Sequence, residues 1–127
     1  MSAAGFAAVG IGAALGAWSR WILSVALNHI LPTLPLGTLA VNLIGGFLIG
    51  AALEFFGQQM TLPVEYRLFF ITGFLGSLTT FSAFSLEAVL LLQEQHYGWA
   101  MALIGSHLAG SLMMTILGLY VARSLLV

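Results

Sequence analysis

The residues able to do chemistry concentrate in one run, Gly73-Phe74-Leu75-Gly76-Ser77-Leu78-Thr79-Thr80-Phe81-Ser82-Ala83-Phe84-Ser85, inside a long apolar segment. Two glycines are followed by a cluster of hydroxyls and by two phenylalanines three residues apart. Glycine weakens a helix and frees backbone groups. In hydrocarbon every freed N–H and C=O must find a partner, so an interruption survives only where protein buries it or it lines a polar cavity. Broken membrane helices turn carbonyls toward cations and half-helix N-termini toward anions. The run therefore reads as an ion site.

Other polar side chains are spaced to meet it. Asn42, Gly46 and Gly50 recur every four residues and share one helical face. Asparagine at such a position is either interhelical glue or an uncharged N–H donor that holds an anion without trapping it; the second reading is preferred here. Phe81 and Phe84 project from one face with Ser85 beside Phe81, and their positive ring edges suit a partly dehydrated small anion. Thr79, Thr80, Ser82 and Ser85 add hydroxyl donors. His107, Ser111 and Thr115 form a polar stripe at four-residue steps. Glu87 is an intramembrane carboxylate, a functional candidate by default, either protonated or paired with Arg20. Arg20 lines an aqueous vestibule that attracts anions, or pairs with Glu54 or Glu87. The donors are uncharged apart from Arg20, which suits conduction, because a pore needs weak sites that let the ion leave.

Composition sets the elements that must carry these groups. Of 127 residues 61% are hydrophobic, with three Arg, no Lys and four Glu, against roughly a quarter charged in a soluble domain. The chain reads as an all-α membrane protein. It has no basic surface for nucleic acid. Without cysteine it has neither disulfides nor thiolate chemistry. Four apolar spans, at about 3–27, 36–56, 67–92 and 99–125, approach the roughly 20 residues that cross a bilayer. The third is expected to break near the midplane. Loops are short and nothing remains for a second domain. The first span lacks the preceding basic residues of a secretory signal and is too long for one, so it is expected to stay in the mature protein.

With an even number of spans, both termini share one side with the loop Gly57–Tyr66. Arg67 and Arg123 lie near that side and Arg20 nearer the other, a Lys/Arg imbalance too small to fix orientation. Two readings fit: a chain that inserts both ways and assembles antiparallel about an in-plane two-fold axis, or one orientation set by the insertion machinery. Gly12 with Gly16, and Ser106 with Gly110, are small-xxx-small pairs that read as helix packing.

Along nearly its whole length the chain resembles the Fluc (CrcB) fluoride channels. The matching motifs are Gly16-Ala17-Trp18-Ser19-Arg20-Trp21, Gly37-Thr38-Leu39-Ala40-Val41-Asn42 with Gly45 and Gly50, and Gly73 through Ser85. The resemblance implies an antiparallel dual-topology homodimer with two fluoride pores and a central structural Na⁺. By motif, the Na⁺ would be held by carbonyls of Gly76 and Thr79, and Asn42, Phe81 and Phe84 would line the pores. Ser111 and Thr115 match a polar track on the last helix, with Ser82 and Ser85 as further pore hydroxyls. Ser77 stands where the family usually has glycine, and Ala83 where it has threonine.

The implied function is passive export of fluoride across the cell's inner (plasma) membrane by a multi-pass protein, with fluoride and the bilayer as its partners and no enzymatic step. Fluoride enters cells as neutral HF and is trapped as the anion, and an inside-negative potential drives it out with about 2.3 kcal/mol per charge per 100 mV. Two alternatives come from other classes. A small proton-coupled multidrug exporter would organise its pocket around Glu87, and a non-conducting membrane assembly protein would need only the glycine faces.

Overall fold

A computed structural model of the chain describes residues 1–127. Four helices are long and apolar enough to cross a membrane: Ala3–Leu27, Leu36–Gln58, Val64–Gln93 and Tyr97–Leu126. The all-helical architecture expected from the apolar runs is present, with boundaries shifted by a few residues.

Side chains cap the starts of several of these helices. Helix α1 (Ala3–Leu27) is capped by Ser2, whose hydroxyl accepts from Gly5 N at 3.0 Å. Helix α2 (Leu36–Gln58) follows Pro35, which offers no side-chain cap. Its first turn is capped from a distance instead. Asn28, at the end of α1, accepts from Gly37 N at 2.7 Å and Thr38 N at 3.1 Å. After Pro63 the third span begins as the helical turn α3 (Val64–Arg67), continues as a π-helix (Leu68–Leu75) and tightens into the short α4 (Gly76–Leu78). Thr79 and Thr80 are extended (φ −80°, ψ 156° and φ −149°, ψ 120°). Helix α5 (Phe81–Gln93) then restarts, with the Thr80 hydroxyl accepting from Ala83 N at 3.1 Å. Gln95, at φ 60°, turns the chain into α6 (Tyr97–Leu126).

The third span is broken, as expected, but not by its glycines. Gly73 lies within the π-helix and Gly76 is helical at φ −61°, ψ −28°. The interruption falls one turn later, at two threonines whose hydroxyls bond local backbone and so compete with the helix. The Thr79 hydroxyl donates to Leu75 O at 2.9 Å, and Thr80 caps the next helix.

The glycines act in packing. A Cβ on Gly12 would strike the carbonyl oxygen of Phe69, and one on Gly16 that of Phe74. On Gly73 it would come within 2.6 Å of Val9 O. These contacts join α1 to the π-helix. A matching seam joins α2 to α6, where Gly50 faces Thr115 O, Gly118 faces Phe47 O, and a Cβ on Gly46 would meet Ser111 O at 2.9 Å. Only 22 of 127 residues are buried, so close backbone contact rather than a thick apolar core holds these pairs. Two small clusters complete the interior. Phe84, Ala88 and Leu91 of α5 pack with Ala100 and Leu103 of α6, and Val41 packs with Leu75 and Leu78.

Neither pairing expected for Arg20 is present. Glu54 accepts from Arg123 at 3.2 Å and from Gln58 at 2.9 Å, tying the ends of α2 and α6. Glu87 accepts from the Thr38 hydroxyl at 2.6 Å. Arg20 is half-buried with its Nε unpartnered.

Candidate ion site

An extended pair of residues between two helices leaves backbone groups that neither helix satisfies. The Asn42 amide answers this at Thr80 on both sides. Thr80 N donates to Asn42 Oδ1 at 2.8 Å, and Asn42 Nδ2 donates to Thr80 O at 2.9 Å. Nδ2 also lies 3.0 Å from His107 Nδ1. Since the amide nitrogen can only donate, Nδ1 is the acceptor and the network assigns the imidazole proton to Nε2. That Nε2 is buried without a partner.

Aromatic rings complete the wall. The His107 ring lies 4.7 Å from Phe84, tilted by 32°, and Phe84 meets Phe81 edge-on at 5.4 Å. Phe84 is 8% exposed and Phe81 73%. Asn42, Thr79, Thr80, Phe81, Phe84 and His107 surround a groove of about 340 Å³, closed on the α6 side by Leu108, Ser111 and Leu112. No charged side chain lines it. On the other side of the break, none of the turn, cap and side-chain hydrogen bonds reaches the carbonyl of Thr79.

The family model described as CrcB-like protein, Camphor Resistance (CrcB), matches residues 7–119. The chain belongs to the CrcB-like family. A relative from Nitrosospira multiformis, named fluoride-specific ion channel FluC, is 60% identical over 116 residues, 91% of either chain. Another of that name, from Cupriavidus pinatubonensis, is 58% identical over 125 residues, 98% of this chain and 99% of the relative. A third, from Pseudomonas paraeruginosa, is 55% identical over 113 residues, 89% of each. The resemblance read from the motifs is thus borne out. With its four apolar helices, this CrcB-like chain is a multi-pass membrane protein.

In this CrcB-like chain, the residues singled out by sequence divide into three groups. Asn42, Thr79, Phe81, Phe84 and Ser111 come together in the groove. Ser82, Ser85 and Thr115 do not line it. Ser82 is exposed, its hydroxyl 3.4 Å from that of Thr80, and Ser85 is half-buried away from the groove. The Thr115 hydroxyl donates to Ser111 O at 2.9 Å in the α2–α6 seam. Gly76 is exposed, with only Ile71 O at 3.7 Å from where its Cβ would stand. Arg20 is not among the lining residues.

Four lining residues were outside the expected site set: His107 and Thr80, read from sequence only as polar groups, and the apolar Leu108 and Leu112. The four-residue step from His107 to Ser111 was the available signal for the first. For Thr80 the signal was a hydroxyl residue directly before a restarting helix, the N-cap pattern. Asn42 meets the expectation of a polar group at the break, but in this geometry its donors are spent on Thr80 and His107.

Proposed function

We propose that this protein is a fluoride-selective channel, not an enzyme, that lets cytosolic fluoride leave passively across the inner membrane. The observation that carries the reading is the groove itself: amide, imidazole and hydroxyl groups beside two aromatic rings, with no charged side chain among them. Neutral donors bind a dehydrated anion weakly enough for release. The names of the relatives point to the same ion. An anion entering the groove would draw the second Asn42 N–H away from His107 and meet the Phe81 and Phe84 edges.

The same reading includes an antiparallel, dual-topology homodimer. Support comes from the near-balanced arginines, from Phe81 standing 73% exposed beside a polar groove, and from Gly76 lying exposed at the break with space around it. A second copy meeting the first at the break would shelter both Phe81 and Gly76. The donor set there fits a structural Na⁺: the unpartnered Thr79 carbonyl with exposed Gly76 one turn before it, and no cluster of carboxylates or imidazoles of the kind that gathers divalent metals. Bound Na⁺ would neutralise the carbonyl dipoles and link the two copies without moving with fluoride. Glu87 is engaged by Thr38 and does not line the groove, so a carboxylate-centred drug exporter gains no support.

Fluoride efflux from liposomes holding purified protein is the test. Efflux selective over chloride is expected, lost when Na⁺ is replaced on both sides by a large organic cation. Absence of efflux with Na⁺ present would sink the channel reading; full rates after prolonged Na⁺ removal would sink the cation. C-terminal reporters active on one side of the membrane only would sink dual topology.

A further inference from the structure

Resting on the channel reading, we infer that Asn28 is a positioning residue for the ion groove, acting through the register of α2 although it lies outside the groove. Two helix ends meet at this one residue. Asn28 closes α1 through its own N–H to Ser24 O at 3.0 Å, while its Oδ1 accepts from Gly37 N and Thr38 N. Pro35 gives α2 no side-chain cap of its own. A Cβ on Gly37 would stand 2.5 Å from Leu23 O and 2.6 Å from Asn28 Oδ1, so the seat is closed to anything but glycine.

From that seat α2 reaches α5 at two points on one face, four residues apart. Thr38 donates to Glu87, and Asn42 brackets the Thr80 backbone. No other side-chain hydrogen bond joins α2 to α5 or its cap. Phe81 and Phe84 lie between these two points along α5, so a change at the start of α2 is passed through Thr38 and Asn42 to Phe81 and to Phe84, which packs on His107. Asn28 thereby sets the spacing of ring edges and donors in the groove while touching none of them.

The experiment measures single-channel fluoride currents in planar bilayers, together with fluoride-over-chloride selectivity, for wild type, Asn28→Leu and Asn28→Asp. Leucine cannot accept from either N–H, whereas aspartate keeps the acceptor and suits a helix N-terminus. Asn28→Leu is expected to lower the unitary rate severalfold and to weaken selectivity, because α2 loses the acceptor for its first two N–H groups. Asn28→Asp is expected to retain both. A residue that only stabilises the fold would reduce the number of channels and leave each one unchanged, so wild-type unitary currents and selectivity in Asn28→Leu overturn the inference. If Asn28→Leu does not fold, Asn28→Ser, too short to span both N–H groups, is read in the same way. Wild-type protein that passes no fluoride would overturn the channel reading and this inference together; a conducting wild type with unaltered variants overturns this inference alone.

Discussion

Two regions of this chain are held in opposite ways. In the seams of α1 with the π-helix and of α2 with α6, glycines bring backbone against backbone. Helix α5 meets α2 instead through side chains, Thr38 to Glu87 and Asn42 to Thr80. Contacts to backbone oxygen leave no room for adjustment, because moving the contact means moving a helix. Hydrogen bonds through side chains tolerate small changes and can be exchanged for a ligand. The seams therefore form a frame, and the responsive chemistry sits where the frame gives way to polar links.

The largest effect should come from breaking the frame. Gly16→Leu and Gly50→Leu each drive a branched side chain into a carbonyl, of Phe74 or Thr115. Overpacking costs about 1–3 kcal/mol where side chains can move, and here they cannot relieve the clash. Both variants should lose folded protein in detergent, read by size-exclusion profile and thermal melting. Wild-type melting of either one would mean that the seams are looser than their geometry.

Next comes the polar link. Asn42→Asp keeps an acceptor for Thr80 N but removes the donors to Thr80 O and His107 and places a charge in the groove. At 4 Å two unit charges repel by about 4 kcal/mol with an effective dielectric of 20, roughly a thousandfold in occupancy by an anion. Fluoride flux should be abolished in protein that still folds. Undiminished flux would remove Asn42 from the permeation path.

The comparison also explains what the sequence made legible. Span number and length followed from apolar runs, since crossing a bilayer demands them. Gly12 and Gly16 read correctly as packing because small residues four apart share a face, and their contacts with Phe69 and Phe74 bear that out. The break falls inside the run singled out, but at its threonines rather than at its glycines. Glycine looked like the weak point, but helix propensity yields to tertiary contact, and Gly73 stays helical against Val9. Threonine hydroxyls, with Asn42 reaching from α2, made the extended conformation affordable at Thr79 and Thr80. That last link spans 38 residues in sequence and has no local signature. For the same reason the sequence left Glu87 either protonated or paired with Arg20, and its partner Thr38 on the neighbouring helix was not legible.

A smaller effect separates the two rings. Phe81→Ile and Phe84→Ile each remove a positive ring edge and break the Phe81–Phe84 pair, itself worth about 0.5–1.5 kcal/mol beyond the area it buries, so each should slow flux by a modest factor. Their stabilities should differ. Phe84 is buried against His107 and in the α5–α6 cluster, whereas Phe81 is exposed on the single chain. Phe84→Ile should lower the melting temperature and Phe81→Ile should leave the isolated chain unaffected. A larger loss at Phe81 would show that a second copy covers it.

The smallest effect sharpens the contrast within α1 alone. Gly10 and Gly12 stand two residues apart on one helix, but a Cβ at Gly10 meets nothing within 4 Å while one at Gly12 strikes Phe69 O. Glycine in a helix interior costs roughly 0.5–1 kcal/mol relative to alanine. If packing sets the worth of each glycine, the two substitutions must have opposite signs. Gly10→Ala should melt at or slightly above wild type with unchanged fluoride flux, and Gly12→Ala should melt below it, because the π-helix must move to admit the methyl. Thermal melting of the two variants in one detergent makes the comparison directly. Equal melting temperatures would mean that the α1 seam opens easily enough to take a methyl group, and the frame would then be no stiffer than the polar links to α5.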